Sequence, residues 1–425
     1  MRFGIKTLDD FQVEGKTVLL RIDINQPIDR ETKTLKDITR IRACLPTIRE
    51  LSEKGAKVVL LAHQGSDIEY ANFYTTQPHS KVLTDLLGRE VQFVDDVCGP
   101  AARDAIKALN NGDVLLLDNV RFAAEEQTLF ELKLQLTHEE QAKTELVRKL
   151  SPLADLYVCD AFAAAHRDQP SLCGFEQVLP SAMGRLFEEE FSVISGIMEN
   201  PVRPCVFVLG GAKIADAFLM MNSVLEGNVA DQVLTGGLVA NIMLWANGVD
   251  IGEASKSFIR KQGYEHFVEG AKPLLEKFGD RIILPVDLSY IHEEERMTNH
   301  LDSIKDDRMM MDIGDETAAI YHQSILKAKT VFVNGPMGVF ELPQTEYGTK
   351  SVWDALGKTD GYTVVGGGDS ITATNKYKME SKINYICTGG GALIRFLTGE
   401  ELPVVRALRY GSKDAQIGGN QNGLC

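Results

Sequence analysis

The sequence lacks a long hydrophobic run, a block of basic residues and an apolar N-terminal stretch. No apolar run reaches the roughly 18–20 residues that a membrane span requires, and residues 1–6 do not have the composition of a signal peptide. The formal net charge is −15, which opposes binding to nucleic acid or to an anionic membrane surface. We therefore expect a cytoplasmic protein that binds neither nucleic acid nor a membrane.

Paired cysteines and the common nucleotide-binding motifs are also missing. The seven cysteines are scattered and include no CxxC pair, so neither a disulfide framework nor a zinc site is indicated. No GxxxxGK(S/T) motif occurs, because the segments 15–17 and 357–359 lack the earlier glycine. No GxGxxG motif follows a strand-like run, which argues against a dinucleotide-dependent dehydrogenase.

Short apolar runs rich in Val, Ile and Leu alternate with segments of helical period. Their continuous apolarity indicates burial on both faces, as in a parallel sheet covered by helices. The runs are 18–22, 58–62, 91–94, 114–117, 156–159, 205–209, 232–235, 281–284, 330–334, 362–365 and 385–387. The crossover helices are predicted over 40–54, 140–150 and 215–226. The sequence predicts an α/β protein with two doubly wound, Rossmann-like parallel-sheet domains joined by a helix and hinge.

The length of 425 residues is too great for one core and fits two or three domains. Between the two series of strands, residues 181–200 place apolar residues at helical spacing. We predict a first domain over 1–180, a connecting helix and hinge over 181–200, and a second domain over 201–400. Residues 401–425 are expected to pack near the first domain, with a frayed polar tail.

In the first half, polar and cationic residues lie at the ends of the strand-like runs or in loops close to the strands. These residues are Arg21, Asp23, Asn25, Arg40, His63, Arg121, His166 and Arg167. Because parallel strands end at the same edge of a sheet, the strand-end arginines should face one site. Arginine binds phosphate and carboxylate bidentately, so this half fits a small, multiply charged anion.

In the second half, the strand-like runs end in glycine clusters instead. The clusters lie at 210–211, 236–237, 366–368 and 389–391. Each precedes a helix-like run, whose N-terminal N–H groups attract phosphate, and glycine allows close approach of the backbone. We therefore expect a nucleotide held by several helix N-termini rather than by one wrapping loop.

Two carboxylates accompany these clusters. Asp369 can cap its helix or help to hold Mg²⁺, and the two roles are compatible. The turn Asn334–Glu341 ends in a carboxylate suited to a pair of ribose hydroxyls. An anion half and a nucleotide half together indicate a transfer reaction in which both halves take part.

Seven motifs resemble those of the phosphoglycerate kinases. They are 18–25, 118–122, 160–167, 209–213, 334–341, 366–370 and 388–392. They are long and specific, and they occur in order over nearly the whole chain, roughly residues 6 to 408. Three further segments are most similar to the archaeal branch: 62–65, 167–171 and 234–241.

The resemblance implies reversible phosphoryl transfer between ATP and the carboxylate of 3-phosphoglycerate, with Mg²⁺, which yields ADP and 1,3-bisphosphoglycerate. The acceptor carboxylate has a pKa of about 3.5–4 and is already ionised, so no general base is needed. Catalysis then depends on in-line positioning and on cancelling charge, with the domains closing to exclude water. On family grounds we expect a monomer.

By the same resemblance, Asp23 and Asn25 hold the hydroxyl and carboxylate of the glycerate, and His63, Arg121 and Arg167 hold its phosphate. The full set implied in acid binding is Asp23, Ile24, Asn25, Arg40, His63, Gln64, Gly65, Ser66, Arg121 and Arg167. The nucleotide set is Gly211, Gly237, Gly314, Asn334, Pro336, Glu341, Gly367, Gly368, Asp369 and Ser370. Glu341 is implied on the ribose and Asp369 on the metal. The residues implied in the transfer itself are Arg40, Lys213, Gly367 and Gly390.

Three positions depart from the family pattern. Ser66 stands where the family usually has Arg or Lys, so one cation of the acid site is missing. Ala217 replaces a second lysine that the archaeal branch also tends to lack, and Cys387 replaces a nearly isosteric serine.

Two alternative functions remain open. Ser66 makes a paralogous kinase for another small carboxylic acid conceivable. A non-catalytic nucleotide-binding protein on the same scaffold would be expected to lose Lys213, Arg40 or Asp369, and all three are present.

Overall fold

The computed structural model of the chain describes residues 1–29, 31–65, 74–305 and 307–411. Packing divides these residues into two compact units. The first unit contains residues 1–192 and the described residues after Glu400, and the second contains residues 193–400. Within the described ranges, no helix is both long enough and apolar enough to cross a membrane.

The first unit is built on a parallel sheet. Its described strands are β1 (Thr17–Arg21), β2 (Lys57–Leu61), β3 (Val91–Val94), β4 (Val114–Leu117), β5 (Leu156–Cys159) and β6 (Ser181–Met183). They lie in the order β3-β4-β2-β1-β5-β6, and all neighbours are parallel. The chain winds to one side from β1 and to the other from β5, so the switch point lies between these two strands.

The burial of the strands explains why the sequence predicts most of this sheet. All residues of β4 and β5 are buried, as expected for a parallel sheet covered on both faces. The bounds of β3, β4 and β5 are those predicted, and β1 and β2 begin one residue earlier. The pattern does not predict β6, because three residues are too few to show a period.

Helices surround the first sheet. They are α1 (Thr39–Glu53), α2 (Gln77–Leu87), α3 (Pro100–Ala108), α4 (Thr128–Leu134), α5 (His138–Gln141), α6 (Glu145–Leu150) and α7 (Pro170–Cys173). The single helix predicted over 140–150 is wrong. Thr144 has an extended backbone, and its hydroxyl donates a 2.6 Å hydrogen bond to the carbonyl of Gln141, which ends α5 before α6 begins.

The connection to the second unit is α8 (Arg185–Glu199), which contains the boundary between residues 192 and 193. The helix begins later than predicted, because residues 181–183 pair with β5 as β6. The last described helix, α17 (Pro403–Tyr410), packs on the first unit. There Nε of Arg409 donates to the carbonyl of Phe3 at 3.2 Å.

The second unit is built on a second parallel sheet. Its strands are β7 (Cys205–Leu209), β8 (Gln232–Thr235), β9 (Ile282–Ile283), β13 (Thr330–Asn334), β14 (Tyr362–Gly366) and β15 (Tyr385–Cys387). Their order is β15-β14-β13-β7-β8-β9, and all neighbours are parallel. The switch point lies between β7 and β13. The predicted α/β class and the predicted pair of parallel sheets are confirmed.

The structure also contains a small antiparallel sheet that the sequence analysis missed. Its strands are β10 (Asp287–His292), β11 (Glu295–His300) and β12 (Asp312–Ile313), in the order β11-β10-β12. The turn between β10 and β11 is formed by Glu293 and Glu294, both at positive φ. Because this turn lacks the Asn-Gly or Asp-Gly pair typical of hairpins, the sequence does not indicate it.

Helices cover the second sheet as well. They are α9 (Ile214–Glu226), α10 (Gly237–Ala246), α11 (Glu253–Lys261), α12 (His266–Phe278), α13 (Asp315–Lys327), α14 (Tyr347–Leu356), α15 (Gly368–Lys376) and α16 (Gly390–Leu397). Three of them, α10, α15 and α16, begin within the glycine clusters that follow β8, β14 and β15. Their N-termini therefore lie at the carboxyl edge of the sheet, where α/β folds bind ligands.

Candidate functional site

Four adjacent strands of the first unit are followed by polar residues at one edge of the sheet. In spatial order the strands are β4, β2, β1 and β5. The residues that follow them are Arg121, His63, Asp23 and Arg167, respectively. The strand order thus brings together residues that are distant in sequence.

Arg21, the last residue of β1, lies against His63. Its Nη2 is 3.1 Å from Nδ1 of His63, and both side chains are buried. A guanidinium only donates hydrogen bonds, so Nδ1 must accept. Burial and the charges of nearby arginines hold the pKa of His63 well below its ordinary value. The ring is therefore neutral, and its proton is on Nε2, which remains the donor nitrogen of the ring.

Four arginines contribute to this low pKa of His63. After burial, the causes are the charges of Arg121, Arg21, Arg40 and Arg167, in decreasing order. Burial, with the charges of Arg167 and Arg21, also lowers the pKa of Arg121 to about 10. Cations gathered so closely repel one another, and a bound anion of several charges would relieve that repulsion.

Arg121 also has an unused hydrogen-bond donor within the part of the chain that the structure describes. Its side chain is buried, and Nη1 donates to the carbonyl of Gly65. Its Nε has no hydrogen-bond partner among the described residues. Because a buried donor without an acceptor is costly, the site favours a ligand that supplies acceptor oxygens.

The turn after β1 carries the carboxylate and amide predicted to hold the acid. Oδ1 of Asp23 accepts from the backbone N–H of Asn25 at 3.0 Å, and Oδ2 accepts from Nη1 of Arg40 at 2.7 Å. Oδ1 of Asn25 in turn accepts from the N–H of Gly65 at 3.0 Å. Between them the side chain of Ile24 is buried in the core, so only its backbone is near this surface.

The side chain of Gln64 forms hydrogen bonds to other residues of the first unit. Its Oε1 accepts from the N–H of Gln26 at 3.0 Å, and its Nε2 donates to the carbonyl of Gln26 at 2.8 Å. Oε1 is also 2.9 Å from Nε2 of His79. The side chain therefore ties the segment after β2 to the segment after β1, which holds His63 and Asn25 in place.

Two predicted acid-binding residues differ from the others: Arg167 is more exposed, and Ser66 is not among the described residues. Nη1 of Arg167 is 3.7 Å from Oε2 of Glu131 and 3.4 Å from the hydroxyl of Thr128, with the side chain 33% exposed. Ser66 lies outside the described residues, so its place in the acid site stays a prediction from the sequence.

In the second unit, five adjacent strands end in turns that contain glycine. In spatial order the strands are β15, β14, β13, β7 and β8. The turns after them contain Gly389, Gly367, Gly335, Gly210 and Gly236, respectively. The predicted glycine clusters therefore lie side by side along one edge.

The turns after β7, β8 and β13 are joined by backbone hydrogen bonds. The N–H of Gly211 donates to the carbonyl of Pro336 at 2.8 Å, and the N–H of Gly237 donates to that of Met337 at 2.7 Å. Gly237 has φ +55°, and a Cβ there would lie 2.8 Å from the nitrogen of Gly211. Only glycine allows the three turns to approach so closely.

These turns border a cavity of about 290 Å³. Five predicted nucleotide-binding residues line it: Gly211, Gly237, Pro336, Glu341 and Asp369. The apolar part of the lining comes from Leu238, Phe258, Met309, Met310, Met311, Val339 and Phe340. A largely apolar cavity with a few polar groups and helix N-termini at its border is suited to a nucleotide.

The start of α15 is tied to the turn after β13. The hydroxyl of the buried Ser370 accepts from the N–H of Gly335 at 2.7 Å. Gly367 has φ +88°, and a Cβ there would lie 2.5 Å from Oδ1 of Asn334. Asn334, Gly367, Gly368 and Ser370 thus support the border of the cavity next to Pro336 and Asp369, but they are not among its lining residues.

Three further predicted residues lie at helix starts. Lys213 is exposed and directly precedes α9, and Gly390 is the first residue of α16. Gly314 precedes α13, whose first N–H groups are already used: those of Glu316 and Thr317 donate to the carboxylate of Asp287 at 3.0 and 2.9 Å. A nucleotide contact at Gly314 would have to use other groups.

Comparison with known proteins agrees with this geometry. The sequence profile described as phosphoglycerate kinase matches residues 8–400. The chain belongs to the phosphoglycerate kinase family. The phosphoglycerate kinase of Methanothermobacter thermautotrophicus is 46% identical over 406 residues, which are 96% of this chain and 97% of the relative. That of Thermococcus kodakarensis is 41% identical, over 95% of this chain and 96% of the relative.

Solved phosphoglycerate kinase structures show the same fold. The enzyme from Pyrococcus horikoshii OT3 gives a TM-score of 0.85 at 41% identity, with 95% of this chain and 98% of the other covered. The one from Coxiella burnetii gives 0.80 at 29% identity, with the same coverage. The family resemblance stated from the motifs is therefore confirmed over nearly the full length.

The structure accounts for one departure from the phosphoglycerate kinase pattern and places another. Sγ of Cys387 accepts from the N–H of Gly389 at 3.4 Å, a bond that a serine hydroxyl could make equally well. Ala217 is only 6% exposed on α9.

Sequence reasoning missed several residues next to the predicted sites. In the second unit these are the apolar lining residues, although the run Met309-Met310-Met311 is unusual enough to have marked the cavity. In the first unit they are Glu126 and Ser171, which are buried and hydrogen-bonded to each other, and Ser171 also accepts from Nε of Arg21. No short motif indicated that they contact each other, because 45 residues separate them in sequence.

Proposed function

We propose that this chain catalyses reversible phosphoryl transfer between ATP and the carboxylate of 3-phosphoglycerate, forming ADP and 1,3-bisphosphoglycerate. The observation that carries the proposal is the convergence of four arginines on the neutral His63 at the carboxyl edge of one sheet. The glycine-bordered cavity at the carboxyl edge of the other sheet supports it. Membership of the phosphoglycerate kinase family supports the choice of substrates, ATP and a phosphorylated acid.

In the acid site, His63, Arg121 and Arg167 bind the 3-phosphate, with Nε2–H of His63 as a neutral donor among cations. Asp23 and Asn25 bind the hydroxyl and carboxylate of the glycerate. Guanidinium groups match phosphate and carboxylate in bidentate geometry, which lysines would not. The hydrogen bonds that hold Asp23 and Asn25 to Arg40 and Gly65 support this role, because they order both groups before substrate binds.

In the nucleotide site, the base occupies the apolar part of the cavity and Glu341 binds the ribose hydroxyls. The N–H groups at the start of α15 and α16 bind phosphate oxygens. Mg²⁺ takes oxygen ligands, usually one or two carboxylates with substrate phosphates and water. Asp369 is exposed, lines the cavity and lies in the first turn of α15, so it fits as the metal carboxylate. The metal, when bound, would screen the charge of the nucleotide phosphates.

The transfer needs no base. The acceptor carboxylate is ionised at neutral pH, so one of its oxygens forms a bond to the γ-phosphorus as the bond to the β,γ-bridging oxygen breaks. The side chains of Arg40 and Lys213 stabilise the charge on the transferred group. Closure of the two units during transfer stays a prediction from the sequence and the chemistry. So does the expectation of a cytoplasmic monomer, in which the monomeric state rests on the family resemblance alone.

The test is an assay of the purified full chain with ATP, Mg²⁺ and 3-phosphoglycerate, with ADP formation measured. We expect turnover, and we expect Lys213→Ala to lower kcat by about 10²–10³, in the range seen when one charge-stabilising group is removed. Lys261→Ala, on the exposed part of α11, is the matched control and should leave kcat unchanged. Absence of turnover with 3-phosphoglycerate, together with turnover on another carboxylic acid, would replace this substrate assignment.

A further inference from the structure

A buried chain of hydrogen bonds extends from the acid site into the core of the first unit. Nη2 of Arg21 meets Nδ1 of His63 at 3.1 Å, and Nε of Arg21 donates to the hydroxyl of Ser171 at 3.0 Å. That hydroxyl donates to Oε2 of Glu126 at 2.7 Å. The chain therefore links Glu126 to His63 through two intermediate residues, and all four side chains are buried.

The direction of each hydrogen bond in this chain is determined by chemistry. A guanidinium cannot accept, so the hydroxyl of Ser171 accepts from Arg21 and has its own proton left to donate. Oε2 of Glu126 accepts the hydrogen bond from this hydroxyl, and Oε1 accepts from the backbone N–H of Ser171 at 2.6 Å. A carboxylate held by two donors of the same residue fixes both the position and the rotation of the Ser171 hydroxyl. Arg21 then has one preferred orientation.

The carboxyl group of Glu126 is unusual for a residue that appears in none of the predicted sites. It is 0% exposed, and burial raises its pKa to about 7 against the lowering effects of the Ser171 hydrogen bonds and the Arg21 charge. The charged groups that face it are Arg21 and Arg121, with Glu125 of its own turn. A buried carboxyl with a raised pKa that is hydrogen-bonded to a neighbour of a binding site is a candidate for a role in that site.

We propose that Glu126 and Ser171 are positioning residues that orient Arg21 and thereby hold His63 in the Nε2–H form that binds the phosphate of the acid substrate. The assignment of that substrate rests on the proposed function, whereas the hydrogen-bonded chain does not. Neither residue touches the substrate in this proposal. Their effect is on the affinity of the acid site and on the tautomer of one ring.

The kinetic test compares Glu126→Gln and Ser171→Ala with Glu125→Gln. Glu125 belongs to the same turn, and its Oε1 accepts from the N–H of Leu146 at 2.7 Å. Among the described residues, the carboxylate that accepts from Ser171 is that of Glu126 and not that of Glu125. Each of the first two variants should raise the KM for 3-phosphoglycerate about tenfold, the loss expected when a charge-assisted contact is misaligned. The KM for ATP and kcat should stay within about twofold, and Glu125→Gln should match the wild type.

Two further readouts separate positioning from general damage. Because both residues act through one chain, the double variant should be no worse than Ser171→Ala alone, whereas independent effects would multiply. The nitrogen resonances of the His63 ring should show the Nε2–H tautomer in the wild type and a mixture in Glu126→Gln. A role in stability alone would leave the tautomer unchanged.

Binding of inorganic phosphate, measured by calorimetry, makes the two proposals separable. If wild type does not turn over 3-phosphoglycerate but phosphate binding weakens about tenfold in both variants, the function fails and the positioning role stands. If wild type turns over and neither variant changes the acid KM, or if Glu125→Gln changes it equally, the positioning role is overturned. Should Glu126→Gln not fold, Ser171→Ala, which removes one oxygen atom, decides the question.

Discussion

Nη1 of Arg40 donates a 2.7 Å hydrogen bond to Oδ2 of Asp23. The carboxylate is enclosed, with Asp23 only 5% exposed, whereas the side chain of Arg40 is 36% exposed. One end of the guanidinium is thus held by the protein and the rest faces the surface. Such an arrangement fixes the position of the cation and, within the described ranges, leaves some of its N–H donors free. A transferring phosphoryl group is stabilised by donors that are already in position.

We expect Arg40→Lys to lower kcat by about 10²–10³, because an ammonium cannot keep the bond to Asp23 and also present donors in a planar fork. The KM for ATP should change little. Arg42→Lys, two residues further along α1 and exposed, is the control and should behave as wild type. Steady-state kinetics with both substrates varied measures this, and an Arg40→Lys variant with wild-type kcat would contradict the role.

We expect Gly237→Ala to raise the KM for ATP at least about tenfold, because the new methyl group would lie 2.8 Å from the Gly211 nitrogen at the border of the cavity. Gly270→Ala is the matched control. Gly270 lies within α12 with nothing within 4 Å of its added Cβ, so the change should stabilise the protein by about 0.5–1 kcal/mol. Thermal melts and ATP titrations of both variants test the pair, and equal ATP affinity in the two would refute the placement of the site.

We expect the free energy of unfolding of Glu126→Gln, relative to that of the wild type, to increase as pH rises from 5 to 8. Burial raises the folded-state pKa of Glu126 to about 7, above its unfolded value of about 4.5, so the folded state loses relative stability across that window as the carboxyl ionises. Gln cannot ionise, so the variant does not lose this stability. The loss in the wild type is about 3 kcal/mol once the carboxyl is fully ionised in the folded state. The free energy of unfolding, measured by urea denaturation of both proteins at pH 5, 6, 7 and 8, checks this. A difference that is constant with pH would show that Glu126 does not titrate there.

We expect Ser66→Lys to lower the KM for 3-phosphoglycerate about tenfold or more, because it would add a charge-assisted contact where the family usually has one. Phosphoryl transfer itself should be unaffected, since Arg40 and Lys213 remain, so kcat should stay near the wild-type value. Ser66→Gln, of similar length but uncharged, is the control. No improvement with lysine would mean that the acid site does not lack a cation at this position.

The strands were the most predictable part of the fold. Residues 114–117 and 156–159 are apolar without interruption and form β4 and β5 with the predicted bounds, because a parallel sheet covered on both faces has no polar side. The hairpin β10–β11 was missed for the opposite reason. Its outer strand is largely polar and partly exposed, so its residues show no continuous apolar run.

The sequence by itself determined which residues end the strands, and therefore the two predicted chemistries: arginines and His63 after one series, glycines after the other. This was possible because each strand-end residue is local to a readable apolar run. Only the tertiary structure decided which strand ends are neighbours and that Nδ1 of His63 faces Arg21. It also decided that Ser171 bonds to Arg21 and that Glu126 bonds to Ser171. Hydrogen bonds between buried groups far apart in the chain depend on how the segments pack, and no local pattern encodes that packing.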